Sequence, residues 1–471
     1  MKSSFLKSFL NLNVFSGQLF TLGNPQDVPA DDLVSDQDLL VVSVAYRLNA
    51  FGFLTFEDTN LPGNLGLRDQ SLAIKWVYDN IAAFGGDPNQ IVLLGHSAGA
   101  ASVGFHLISM ESRSYIARAI MMSGSVLSPW AAQKNPKDNA IALARSLACP
   151  VPSSGEALTC LQAKTMIEIV TAVDEMITYG NISALFSPVI NESYLLAERT
   201  HFLSEAPIDA LKRGNFKKVP ILAGVMEEDG ILMGYFIKDQ LDQLRTPEIQ
   251  DFMENSIIPE LIRQIPGLSQ DQAIRKVISH EYLKSHVQSN EQRSQMISDI
   301  VDLFTDVYYL APMLKQLDLM ALVGAEMYFY VNSFTSLDIY GNSLLNRSSS
   351  AHGSDLIYLF GPTMYKKFFA NDFPSFSEGR LAKNMKSIFG DFSLYGAPIS
   401  LTNNDAWGLY NRGTKNYFEI NSGTSNANYN NGKASEFWSK YLPFINSKIT
   451  GGVASDFETN FTSLGLGLYK S

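Results

Sequence analysis

Ile91-Val92-Leu93-Leu94-Gly95-His96-Ser97-Ala98-Gly99-Ala100-Ala101-Ser102 decides the fold. The run Ile91 to Leu94 is apolar without alternation, which fits a strand covered on both faces. Gly95 to Gly99 then spell G-x-S-x-G, and small residues open a helical pattern directly afterwards. A serine on a sharp strand-to-helix turn, flanked by glycines, is the nucleophile elbow. Such a turn holds the serine in strained backbone, and the glycines let strand and helix approach closely. The pentapeptide alone is a weak signal; its strand-before, helix-after setting makes it specific. The competing reading is a glycine-rich turn carrying an idle serine.

Outward from this stretch, similar apolar runs recur at 38–46 (DLLVVSVAY), 118–124 (RAIMMSG), 219–225 (VPILAGV) and 326–332 (EMYFYVN). Helical patterns separate them, as in RDQSLAIKWVYDNIAAF and in Ala98 to Ile108. This alternation predicts α/β architecture built on one large, mainly parallel sheet. Residues 234–325 lack strand patterns and read as a helical insertion packed beside that sheet. No interdomain linker interrupts 1–471, so a single domain is expected. NSGTSNANYNNGKAS (Asn421 to Ser435) is polar and turn-rich and reads as a long surface loop.

Composition excludes several classes of function. The 471 residues are 46% hydrophobic and 18% charged, which suits neither a disordered nor a fibrous chain. With 36 basic against 47 acidic residues the net charge is −11, and no basic run appears, so nucleic acid is not an expected partner. No apolar stretch is long enough for a membrane-spanning helix. The N-terminus MKSSFLKSFLNLNVFSG begins like a signal peptide, but Lys7, Asn11 and Asn13 interrupt it, and it reads as a strand. The C-terminus carries no lipid-anchor or retention signal. Sequons at Asn181, Asn191, Asn346 and Asn460 permit glycosylation without demanding it. Cys149 and Cys160 either close a small loop or are free thiols; with no clustered histidine they make a poor metal site.

A serine nucleophile needs a base, and the chain has six histidines. In an elbow followed by an acid and then a base, the histidine comes last in the chain. His96 fills the elbow, with its side chain expected to point away from Ser97. His106, His201, His280 and His286 read as structural or solvated. His352, in SSSAHGSDLIYLFG, follows a strand in a small polar loop and is the candidate base. The acid should lie at a strand end between Ser97 and His352. Glu227, Glu228 and Asp229 all follow VPILAGV, and composition does not choose among them.

These residues resemble the type-B carboxylesterase and cholinesterase family of α/β-hydrolases. AYRLNAFGFL, the long block from GNLGLRDQ through FGGDPNQIVLLGHSAGAASV, and HGSDLIYLFG carry the resemblance, with weaker matches out to FWSKYLPFI. It implies an α/β-hydrolase fold and a serine carboxylic-ester hydrolase working without metal or cofactor on a small ester. Asp229, directly before glycine, takes the acid's place, where the family more often has Glu. Ser123 would lie beside that acid, Trp130 in the acyl pocket, and Arg47 with Asp69 would form an ion pair beneath the elbow. The resemblance also implies a Cys149–Cys160 disulfide and hence an oxidising, secretory or extracellular compartment. A non-catalytic binding or adhesion protein of the same family is the alternative, although such members usually lack the serine or the histidine.

Two departures stand out. The family's oxyanion glycines fall on Gln18 and Leu19, within SGQLFTLG, leaving the Ala98 N–H as the retained donor; each lost donor typically costs ~2.7–4 kcal/mol of transition-state stabilisation. The resemblance also implies that an N-terminal stretch of about 100 residues, holding the first strands of the fold, is lacking. Ester specificity and oligomeric state are not legible.

Overall fold

The computed structural model describes residues 6–11, 19–176, 185–190, 192, 194–195, 201–265, 267–283, 290–335, 339–340, 344–345, 348–369, 375–399, 407–421, 425–428 and 433–451. Among the described residues, eight strands form one sheet: β1 (Leu6–Asn11), β2 (Leu39–Ser43), β3 (Gly86–His96), β4 (Arg118–Met122), β5 (Ile221–Met226), β6 (Met327–Asn332), β7 (Asn416–Ile420) and β8 (Ser425–Asn428). Their order is β2-β1-β3-β4-β5-β6-β7-β8. Pairing is parallel from β2 to β7 and antiparallel only between β7 and β8. This is the α/β-hydrolase fold anticipated from the strand runs, and the N-terminal segment joins it as a strand.

The unbroken apolar runs are explained by burial on both faces. Ile91 and Leu93 of β3 point into one hydrophobic cluster, while Val92 and Leu94 point into the other. Ala119 and Met121 of β4 alternate with Ile120 and Met122 in the same way. Helix Ala98–Ile108 and the helical region from Ile231 to Leu322 cover the first face. Helices Ser354–Phe360 and Phe376–Tyr395 cover the second. Among the described residues, the span 234–325 is helical and contains no strand, as expected. Fully burying one such Leu, Ile or Val stabilises the fold by ~1.5–3 kcal/mol.

One expectation is corrected. Residues 421–435 are not wholly loop, because Ser425–Asn428 pairs with β7. Its sequence, SNAN, has no apolar alternation; as an edge strand held by backbone hydrogen bonds it needs none.

Candidate active site

Ser97 sits where β3 hands over to helix Ala98–Ile108, with φ 56° and ψ −119°. That backbone is costly for a residue with a side chain, of order 1–3 kcal/mol, and persists only where packing over-determines it. The packing is visible at two glycines. A Cβ on Gly95 would stand 2.0 Å from the Gly99 carbonyl oxygen, and one on Gly124 would stand 2.2 Å from that of Ser97. The Ser97 N–H donates to the Met122 carbonyl (2.8 Å), pinning the turn to β4. Ser97 is 1% exposed. Ala98 opens the helix, so its N–H is among the donors that lack an intrahelical acceptor, at the positive end of the helix dipole.

His352 and Asp229, 123 residues apart, meet at 2.7 Å through Nδ1 and Oδ1. Two loops are zipped together to make that contact. The Glu228 N–H donates to the Ser350 carbonyl, and the Ser350 N–H donates to Glu228 Oε2 (3.1 Å). The Asp229 turn is fixed from beneath: a Cβ on Gly230 would stand 2.2 Å from the Val301 carbonyl oxygen, and the Gly230 N–H donates to Thr305 Oγ1. The Met226 N–H donates to the other carboxylate oxygen of Asp229 (2.9 Å). Geometry therefore separates the three acids that composition left open. Asp229 touches the imidazole, Glu228 holds the histidine loop, and Glu227 is exposed.

Burial governs the electrostatics. It pushes the Asp229 carboxyl up, against the Met226 N–H and Ser123, which favour the charged form. The Ser123 hydroxyl closes no hydrogen bond among the described residues. Burial also pushes His352 down, so its imidazole is neutral. With its proton on Nδ1 facing Asp229, Nε2 presents a lone pair, and this buried atom closes no hydrogen bond among the described residues. A hydrogen bond from Ser97 to His352 Nε2 is therefore not made in this structure. Such bonds are commonly long in unliganded sites and tighten with substrate.

The structure adds neighbours that sequence reasoning missed. His96 does not point away from the site: its ring centroid lies 4.5 Å from that of His352. Tyr309 covers His352 at 4.8 Å, and the Tyr340 hydroxyl donates to the His352 carbonyl (2.6 Å). A second carboxyl, Asp355, is fully buried and pushed up to about 7, first by burial and then by the charge of Asp229. Its place in HGSD, three residues after the histidine, was a usable signal.

The other sequence candidates fall as follows. Trp130 is buried, donates from Nε1 to the Tyr308 carbonyl (3.1 Å) and packs 6.2 Å from Tyr309. Arg47 and Asp69 form a two-point ion pair with 2.7 Å contacts. Cys149 and Cys160 are disulfide-bonded, with Cα atoms 5.6 Å apart. Gln18 and the four sequon asparagines lie outside the described residues. Leu19 and Phe20 both take left-handed backbone (φ 55° and 67°), the conformation a glycine would favour there. His106 is a buried structural residue bonded to Ser112 and Gln70, His201 donates to the Leu195 carbonyl, and His280 is exposed. His286 is outside the described residues. Among the described residues no group of three His, Cys, Asp or Glu side chains could hold a metal, and no helix is long and apolar enough to cross a membrane.

The carboxylesterase family model matches residues 12–438. This chain belongs to the carboxylesterase family. Among its relatives, the "Carboxylic ester hydrolase" of Bombus ignitus is 33% identical over 331 residues, 69% of this chain and 57% of that protein. The "Acetylcholinesterase" of Myxine glutinosa is 34% identical over 306 residues, 63% of this chain and 85% of that protein. The "Juvenile hormone esterase" of Tribolium castaneum is 29% identical over 398 residues, 81% and 66% respectively. The match to the Bombus carboxylesterase thus spans little more than half of that relative's length.

Proposed function

We propose that this carboxylesterase-family chain is a serine carboxylic-ester hydrolase using Ser97, His352 and Asp229. The observation that carries the reading is the buried His352–Asp229 contact at 2.7 Å, with Nε2 left as an unengaged base. Ser97 Oγ attacks the ester carbonyl carbon while Nε2 takes its proton. The carbonyl oxygen becomes the oxyanion, facing the Ala98 N–H at the start of the helix that follows Ser97. Collapse expels the alcohol, which receives the proton from Nε2, and leaves an acyl-serine. Water then attacks that ester with the same base, releasing the acid and restoring Ser97. Asp229 holds the tautomer and stabilises the imidazolium formed in each half-reaction. Ser123 supports the Asp229 carboxylate, and Trp130 walls the acyl side, favouring short acyl chains. The disulfide supports an extracellular or secretory location.

The Gln18-Leu19 pair favours a second reading, a binding or adhesion protein on an esterase scaffold. Stopped-flow hydrolysis of p-nitrophenyl acetate separates the two. An acyl-enzyme predicts a burst of one p-nitrophenolate per chain, followed by slow turnover and abolished in Ser97→Ala. A folded chain without a burst or turnover supports the binding protein instead.

A further inference from the structure

Tyr309 carries a buried hydroxyl that the steps above do not use. It lies in the π-helical turn Asp306–Leu310, a local irregularity that often re-aims a side chain at a functional site. Its ring touches two other aromatic rings of the site. His352 packs on it at 4.8 Å, His96 lies 4.5 Å from His352, and Trp130 packs on it at 6.2 Å. Tyr309 is 0% exposed, and its hydroxyl has no hydrogen-bond partner among the described residues. The neighbouring Tyr308 shows the ordinary arrangement, donating its hydroxyl to Gln264 Oε1 (3.1 Å).

An orphan buried hydroxyl destabilises a fold, whereas phenylalanine of the same shape would not. The oxygen at Tyr309 therefore makes sense as a donor whose acceptor arrives with the ligand. Burial, and then the charge of Asp229, push this phenol well up, so it keeps its proton and can only donate or accept as a neutral O–H. Its ring contacts with both the base and Trp130 put it beside the acyl half of a bound ester in the esterase reading.

We propose that Tyr309 is a specificity-determining residue whose O–H binds an oxygen in the acyl chain, so that the preferred substrates are esters of short oxygen-bearing acids. The proposal rests on the esterase reading. The test uses two isosteric esters, p-nitrophenyl methoxyacetate and p-nitrophenyl butanoate, in which an ether oxygen replaces one methylene. Because methoxyacetate is intrinsically more reactive, the quantity compared is the ratio of the two kcat/KM values in wild type and in Tyr309→Phe. That ratio should fall by at least ~10-fold in the variant, about the contribution of one good hydrogen bond, while the melting temperature stays level or rises. An unchanged ratio overturns the proposal. So does an equal loss on both esters, which would put the O–H on the reacting carbonyl. So does a lowered melting temperature, which would mean the hydroxyl is already satisfied in the free protein. A wild type that shows no burst and no labelling of Ser97 removes the esterase reading and this proposal together; a labelled Ser97 with an unchanged ratio removes the Tyr309 assignment alone.

Discussion

Replacing Asp229 by Asn tests the charge geometry with almost no change in volume. The two carboxylate oxygens have separate tasks, one accepting from the Met226 N–H at 2.9 Å and the other facing His352 Nδ1 at 2.7 Å. In Asp229→Asn the amide oxygen must face Met226, because the alternative sets N–H against N–H in a site of 0% exposure. The amide NH2 then faces Nδ1, which can meet it only as an acceptor. The ring proton moves to Nε2, and the base toward Ser97 is lost. The same change of tautomer in a serine protease triad lowers kcat by ~10⁴, and we expect a similar loss here, about 5 kcal/mol. The assay is steady-state hydrolysis of p-nitrophenyl acetate, with circular dichroism confirming the fold. Asp229→Glu should retain far more activity. A loss below tenfold in a folded Asp229→Asn protein would refute the tautomer argument and remove Asp229 from the machinery.

The remaining predictions concern other parts of the molecule. Leu19 takes a left-handed backbone (φ 55°) that glycine adopts freely, so Gln18→Gly with Leu19→Gly should raise aryl-ester turnover at least ~10-fold; no gain in turnover would place the oxyanion donors elsewhere. Cys149→Ser opens a loop with a separation of 11 residues and should cost ~3 kcal/mol by loop entropy, read as a lower denaturation midpoint that reductant reproduces in the wild type. Burial lowers His106 from 6.5 to about 3, so the unfolded chain binds a proton that the fold refuses. Stability is therefore intact above pH 6.5 and falls with pH below it, by up to ~1.4 kcal/mol per unit from this residue; His106→Gln should flatten that slope between pH 6 and 4, and an unchanged slope would count against the buried neutral imidazole.

Much of the fold was legible because its signals are local. β3 to β6 are apolar runs buried on both faces, and the elbow needs only the glycines, the serine and the helix that follows. Ser425–Asn428 was not legible, since a polar edge strand leaves no pattern. At the site, Ser97 and His352 could be chosen from motif and chain order. Asp229 could not be chosen from composition, because the choice depends on how Gly230 packs against Val301 and Thr305, far along the chain. The family resemblance supplied it. His96 and Tyr309 were missed for a related reason: rings at 4.5 and 4.8 Å from His352 come from different elements, and nothing in either segment signals the contact.

The central claim is that Ser97 is an activated nucleophile. A fluorophosphonate needs only that nucleophile and its base, and its phosphorus centre is reactive enough to tolerate an imperfect oxyanion site. The direct measurement is labelling of the folded chain with such a probe, followed by mass spectrometry of the peptide spanning β3 and the helix after it. One label per chain is expected, on Ser97, absent in Ser97→Ala and strongly slowed in His352→Gln. A folded chain that takes no label, or takes it on another residue with Ser97 untouched, would contradict it.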